Sequence, residues 1–330
     1  MHRTADIQKR PHQFLPANFE LSQWEGLEPY FKALLDREIT NKLTLESWLQ
    51  DLSELEAFIS EDACWRQIKM TCDTTDKSLE AAFTFFCMEI QPKIQPYADA
   101  LNKKLIQCPF TNELDEKEYF TYLRSVKKSI ELFREENITL QAELSVLQQQ
   151  YGTIAGRMTI TVDDKEYTLQ QAAQFLESED RAKREEVYLK IQDRRLQDQQ
   201  EMHDLFTSLI QKRHQVALNA GFENYRDYKF AELGRFDYTK EDCFQFHDAV
   251  KLHVMPLIEK IYTRKKEKLG VDALKPWDKA VDPLGRGPLK PFETGEELLE
   301  KTIEVFDEMD PFLGNCLKEM VTLDRFDLDS

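Results

Sequence analysis

Across 330 residues, 61 Asp+Glu against 44 Lys+Arg leave a net charge of −17, which denies the chain the basic stripe of a nucleic-acid binder and repels it from anionic membrane. Hydrophobic residues make up 41%, enough for a core and too much for a disordered chain. Only 10 Gly and 12 Pro punctuate this length, a turn-poor composition that fits helices better than sandwiches or barrels.

Residues 1–13 are polar and lack the apolar run of a secretory signal. Leu27 to Leu35 has a helical look. From Leu45, the residues Trp48, Leu49, Leu52, Leu55, Phe58 and Ile59 recur at three and four, the apolar stripe of one helix. A second stripe runs through Leu79, Phe83, Phe86, Ile90, Ile94, Tyr97 and Leu101, with Pro92 and Pro96 inside it predicting a kink or break. The near-apolar stretch Ala81 to Met88 within it is far too short to span a bilayer. Tyr119, Tyr122, Leu123, Val126, Ile130 and Phe133 mark a third helix, and Leu140, Leu144, Leu147 and Tyr151 a fourth, ended by Gly152. Residues 1–152 therefore read as an antiparallel helical bundle.

The texture then changes. Arg157 to Val162 alternates with period two and is rich in β-branched residues, Asp163-Asp164-Lys165 supplies a turn, and Glu166-Tyr167-Thr168 returns as the partner strand. Thr168 to Gln171 fits a capping box for a short helix that stops near Ser178. A long charged helix follows, from about Asp180 to Ala220, reaching roughly 60 Å if unbroken. Gly221 closes it in a Schellman stop. Asn224 and Thr239 cap two further helices; Pro256 should kink the second, and Gly270 should end it. Residues 271–292 carry Pro276, Pro283, Pro288 and Pro291 and make the best loop-like boundary. Thr294 to Glu297 is a second capping box, and Pro311 starts a last helix. The fold class is mainly α, an elongated multi-helix bundle with one β-hairpin near 157–168.

Chemistry is harder to find. The compact catalytic zinc motif is HExxH, in which two His share a helix face and the Glu polarises the water. None of the six His (2, 12, 203, 214, 247, 253) is followed by Glu. His247 and His253 fall on opposite helix faces, and His203 and His214 stand about 16 Å apart along an axis. No Gly-rich phosphate loop or GxSxG elbow appears. Six cysteines, at 64, 72, 87, 108, 243 and 316, form no CxxC pair and read as buried thiols of a reducing cytoplasm. Trp277-Asp278, in the Pro-rich stretch, is an exposed-looking aromatic–acid pair, and a Trp packed as a lid over the helices is at least as good a reading.

Three blocks in order carry a resemblance. Gly156 to Val162, leading through Tyr167-Thr168-Leu169-Gln170-Gln171-Ala172 to Ser178–Glu185, resembles the oligoendopeptidase F family, zinc metallopeptidases related to thimet oligopeptidase. Ala220 to Tyr228 and Lys275-Pro276-Trp277-Asp278 resemble the same family's next signatures. The resemblance implies a mainly helical, zincin-like endopeptidase of the cytoplasm that cuts short peptides in a deep channel. Its zinc is held by HExxH and a downstream Glu, which in the family follow the region matched here. By that resemblance residues 153–330 begin a catalytic domain, and the chain is its enzyme's N-terminal half, inactive and zinc-free alone. Its partners are the missing C-terminal portion and peptide substrates, with no nucleic acid or membrane. Tyr225, Tyr228, Arg235, Phe236, Trp277 and Asp278 are the channel candidates, and no catalytic or metal residue carries over. A half-enzyme should also self-associate, through the aromatics Tyr225, Tyr228, Phe230 and Phe236 or the loop at Trp277. The other reading is a non-catalytic helical adaptor that kept the fold.

Overall fold

A computed structural model describes residues 12–328. His2 and most of the polar N-terminal stretch lie outside the described residues. The chain divides into two compact units, residues 13–285 and a second one that includes residues 286–328, and the division falls inside the Pro-rich stretch 271–292.

The first unit begins with α1 (Trp24–Asp36), α2 (Lys42–Cys72) and α3 (Lys77–Phe85). Asn41 opens α2 by a reciprocal cap: its side chain accepts the Thr44 N–H at 2.9 Å while Thr44 Oγ1 accepts the Asn41 N–H at 3.0 Å. The stripe expected on α2 is buried through Trp48, Leu49, Leu52 and Leu55. Trp48 is fully enclosed and donates its indole N–H to the Leu34 carbonyl at 2.9 Å. Burying a side chain of this size contributes on the order of 3 kcal/mol, which survives only because the polar N–H is satisfied. Lys104 donates to the carbonyls of Leu34, Leu35 and Arg37 at 2.9, 2.7 and 2.5 Å, closing the C-terminal end of α1.

Pro92 resolves differently from a break. The helix widens into a π-turn over Phe86–Ile90 and continues as α4 (Gln91–Gln107). Proline has no N–H to give and its ring crowds the carbonyl four residues back, so a wider turn lets the rod pass without a lost bond. α5 (Glu116–Leu132) and α6 (Glu136–Gly156) follow. Gly152 does not stop α6, which runs to Gly156. One glycine inside a helix costs only about 1 kcal/mol, and Leu144 and Ile154, buried on either side of it, hold the segment in place.

The hairpin pairs β1 (Thr159–Val162) with β2 (Lys165–Thr168), the strand register running from Thr159 opposite Thr168 to Val162 opposite Lys165. Its turn is Asp163-Asp164 alone, both with positive φ (50° and 61°), and Lys165 already belongs to the strand. Ile160 and Val162 face the second hydrophobic cluster, so the hairpin lies on helices as an isolated pair of strands must. Thr168 and Gln171 form the expected capping box of α7 (Leu169–Ala173), and a single 3₁₀ turn, Gln174–Glu177, ends at Ser178.

The long charged helix is two: α8 (Arg181–Gln197) and α9 (Gln199–Asn219), interrupted at Asp198. The Asp198 carboxylate takes Arg157 at 2.8 Å and pairs with Arg194, and this clamp stands where the helical ladder fails. α9 ends as expected. Gly221 has φ +86°, the Phe222 N–H reaches the Ala217 carbonyl at 2.9 Å, and the Gly221 N–H reaches Leu218 at 2.9 Å. Asn224 caps α10 (Tyr225–Glu232) and Thr239 caps α11 (Lys240–Ala249). Pro256 repeats the solution found at Pro92: a π-turn over Val250–Val254 leads into α12 (Met255–Leu269), which stops at Gly270 with φ +64°. No residue of α11, this turn or α12 is buried.

Two hydrophobic clusters fill this unit. One runs from Leu15 to Val126 around Trp48, and the other from Leu132 to Tyr228 around Val162 and Val187. No disulfide joins the six cysteines, and only Cys87 is buried, where desolvation pushes its thiol up to about 11; Cys64 and Cys72 are exposed, contrary to the expectation of buried thiols throughout.

The second unit is a helical pair, α13 (Gly295–Met309) and α14 (Pro311–Thr322), joined through Asp310, whose side chain caps α14 by accepting the Phe312 N–H at 2.8 Å. The two pack so closely that a Cβ at Gly314 would collide with the Asp307 carboxylate. Thr294 caps α13 as expected, but the Glu297 carboxylate takes the Glu293 N–H at 2.7 Å, one residue before the position a capping box requires.

Candidate functional site

The stop at Gly221 turns the chain so that α10 sets Tyr228 into the second cluster, 2% exposed, with its ring edge-on to Phe222 at 5.7 Å and beside Tyr225 at 5.9 Å. Its hydroxyl donates to Glu232 Oε1 at 3.3 Å and accepts from Gln141 Nε2 at 3.5 Å. Desolvation, with the Glu232 charge second, pushes the phenol up, so it stays protonated and serves as a donor. Gly234 then takes φ +63°, and its neighbours diverge. Arg235 is exposed with its guanidinium 5.0 Å from the Phe230 ring, while Phe236 lies half-buried under Arg124 at 4.2 Å. Arg124 is held in turn by Asp237 at 3.1 Å.

Tyr228 and Phe236 meet in one cleft of about 450 Å³, formed by α4, α5 and the α10 end together with Gln141 of α6. Polar side chains enter it along α4 (Gln95, Asp99, Asn102) and from Ser125 and Ser129 of α5. Sequence reasoning missed these. The available signal is their spacing: short polar residues at 95, 99 and 102, and again at 125 and 129, occupy helix faces where a fully solvated surface would carry long charged chains. Tyr225, Arg235, Trp277 and Asp278 do not line this cleft.

Trp277 and Asp278 belong to a different construction. The pair is not exposed: Asp278 is wholly buried and Trp277 half-buried. Asp278 Oδ1 and Oδ2 accept from Arg181 at 3.0 Å each, and Arg184 adds a bond to Oδ1 at 2.9 Å. Arg184, itself 2% exposed, also donates to the carbonyls of Trp277, Ser178 and Glu179. Burial would raise the Asp278 carboxyl, but the bonds from Arg181, the Lys275 N–H and Arg184 outweigh it and bring the carboxyl down to about 2. The Trp277 ring stands 5.6 Å from Tyr188 of α8. A loop that reads as a lid is thus bolted to the start of α8, because two guanidiniums need a buried acid and this one supplies it.

A zinc ion finds no ligand set here. Among the described residues no three His, Cys, Asp or Glu side chains stand close enough together to hold a metal. His203, His214, His247 and His253 are exposed on three different helical segments. Among the described residues no helix is long and apolar enough to cross a membrane.

Two family models match the chain in order: the peptidase M3 N-terminal domain over residues 14–133 and peptidase family M3 over residues 174–308. Solved structures share the fold. PZ peptidase A in complex with an inhibitor superposes with TM-score 0.88 at 23% identity, covering 94% of this chain and 55% of that one. A structure assigned as oligoendopeptidase F gives 0.86 at 23%, over 92% of this chain and 54% of that one. One from Bacillus anthracis, similarly assigned, gives 0.86 at 19%, over 92% and 56%. The chain therefore spans about half the length of the structures it matches. Among curated proteins, none matches it.

Proposed function

The chain belongs to peptidase family M3, and on that premise we propose that it supplies one wall of the substrate channel in a zinc metalloendopeptidase that hydrolyses short peptides. The ordered match of the two family models carries this reading. Zinc would supply the Lewis acid and the activated water in the complete enzyme. This chain's described residues do not fit the ion, so its own contribution is to bind and exclude: Phe236 offers aromatic surface to a peptide, the buried Tyr228 backs it from the floor of the cleft, and Tyr225 and Arg235 flank them on the same stretch of chain. The Arg181–Asp278–Arg184 bolt fixes the Trp277 loop as a rigid part of the wall. In this reading residues 1–152 are the helical bundle and residues 153–330 begin the catalytic domain.

Two measurements test it. The purified 330-residue chain, incubated with quenched fluorescent peptides and assayed for metal, should show neither turnover nor stoichiometric zinc; zinc-dependent hydrolysis would overturn the division of labour. A short peptide carrying a benzophenone side chain should photolabel residues 225–236. Labelling confined to other helices would remove the wall assignment.

A further inference from the structure

One carboxylate in the cleft is left half-used. Asp99 is 8% exposed, and its Oδ2 is taken by Lys103 at 2.6 Å. Its Oδ1 is buried with no hydrogen-bond partner. A buried acceptor of this kind forfeits a charge-assisted bond, so it calls for a donor that the protein itself does not supply.

The rest of the lining says which donor. Ser125 Oγ spends its proton on the Thr121 carbonyl and Ser129 Oγ spends its own on the Ser125 carbonyl, each at 3.0 Å, so both hydroxyls have only lone pairs left to offer. Gln95 and Asn102 add amides that can present either an oxygen or an N–H, the Gln141 amide donates to Tyr228, Glu232 adds a second carboxylate, and the one cationic side chain in the lining, Lys128, is already paired with Glu131. Phe133, Tyr228 and Phe236 contribute aromatic rings to the same space. The cleft is therefore rich in acceptors and aromatic surface, and its lining includes the unpartnered carboxylate oxygen of Asp99. A guanidinium fits it poorly, because the planar fork wants both carboxylate oxygens and Lys103 holds one of them. A tetrahedral ammonium can give one hydrogen to Oδ1 and the others to neutral oxygens, with its alkyl stem against the rings.

We propose that this cleft is a binding site for a primary alkylammonium group, seated on Asp99 Oδ1. The group can be that of a small free amine or of a lysine side chain on a peptide. The site stands on the cleft's geometry alone, so peptide photolabelling and amine binding can fail independently of each other.

Titrating the full chain with n-butylammonium, followed by NMR or calorimetry, should give saturable binding, and the neutral isostere 1-butanol should give none. Asp99→Asn should weaken the amine at least about tenfold, the loss expected when a charge-assisted bond worth about 1.4 kcal/mol disappears. Lys103→Met frees Oδ2 without touching Oδ1. It should keep butylammonium binding and raise n-butylguanidinium to comparable affinity, and it decides the matter if Asp99→Asn fails to fold. Running Nα-acetyl-lysine amide beside n-butylammonium separates the two sources, since a peptide-borne amine gains affinity from its backbone. Equal binding of amine and alcohol, no saturable binding of any amine, or no gain for the guanidinium in Lys103→Met would each overturn the assignment.

Discussion

Asp278 shows how little a residue's neighbours in sequence say about its surroundings. Its setting among Lys275, Pro276 and Trp277 suggests an exposed loop, yet the groups that decide its burial, Arg181 and Arg184, precede it by 97 and 94 residues. Because the acid neutralises guanidiniums, one of them fully enclosed, Asp278→Asn strands a buried charge and should cost roughly 3 kcal/mol in urea denaturation. The pH dependence has a definite sign. The folded carboxyl sits at about 2, below its ordinary 3.8, so its stabilisation is present above pH 4 and drains away as pH falls toward 2. The stability gap between wild type and variant should close over that window. Asp99 was equally illegible: a carboxylate between two alanines on a helix looks solvated until α5 and α6 pack against α4.

Elements were more legible than residues wherever the governing interactions are local. The caps at Thr168, Asn224 and Thr239 and the stops at Gly221 and Gly270 each depend on atoms within a few positions, and each stands where the sequence places it. The break at Asp198 was not legible, because Gln192 to Glu201 is good helical sequence and the clamp involves Arg157, 41 residues earlier. The prolines announced a disturbance but not its form, since a π-turn and a break are equally open to a lone Pro. The hairpin retains some strain: Asp164, exposed and unbranched, sits at φ +61°, a region that suits glycine. Asp164→Gly should therefore raise stability by about 0.5–1 kcal/mol, read as a higher denaturation midpoint at unchanged slope. Asp163 should be left alone, because Lys183 pairs with it at 2.6 Å.

For the molecule as a whole, exposed apolar surface decides behaviour in solution. The aromatic cluster expected to drive self-association is partly withdrawn, Tyr228 being buried and the other three half-buried. The open surface lies instead on residues 240–269, where Phe246, Leu252, Leu257 and Ile261 are all more than half exposed. Sedimentation should show species that grow with concentration, and Phe246→Glu combined with Leu257→Glu should return them to monomer; a clean wild-type monomer at high concentration would contradict this. Along that rod only Lys240, Cys243, Val250, Ile258, Lys265 and Leu269 are partly buried, and every other residue is exposed. A segment so thinly anchored borrows almost nothing from the core and must persist on its own intrinsic helicity. It follows that its amides should exchange with deuterium through private, low-energy openings, long before the Trp48 region releases a single proton.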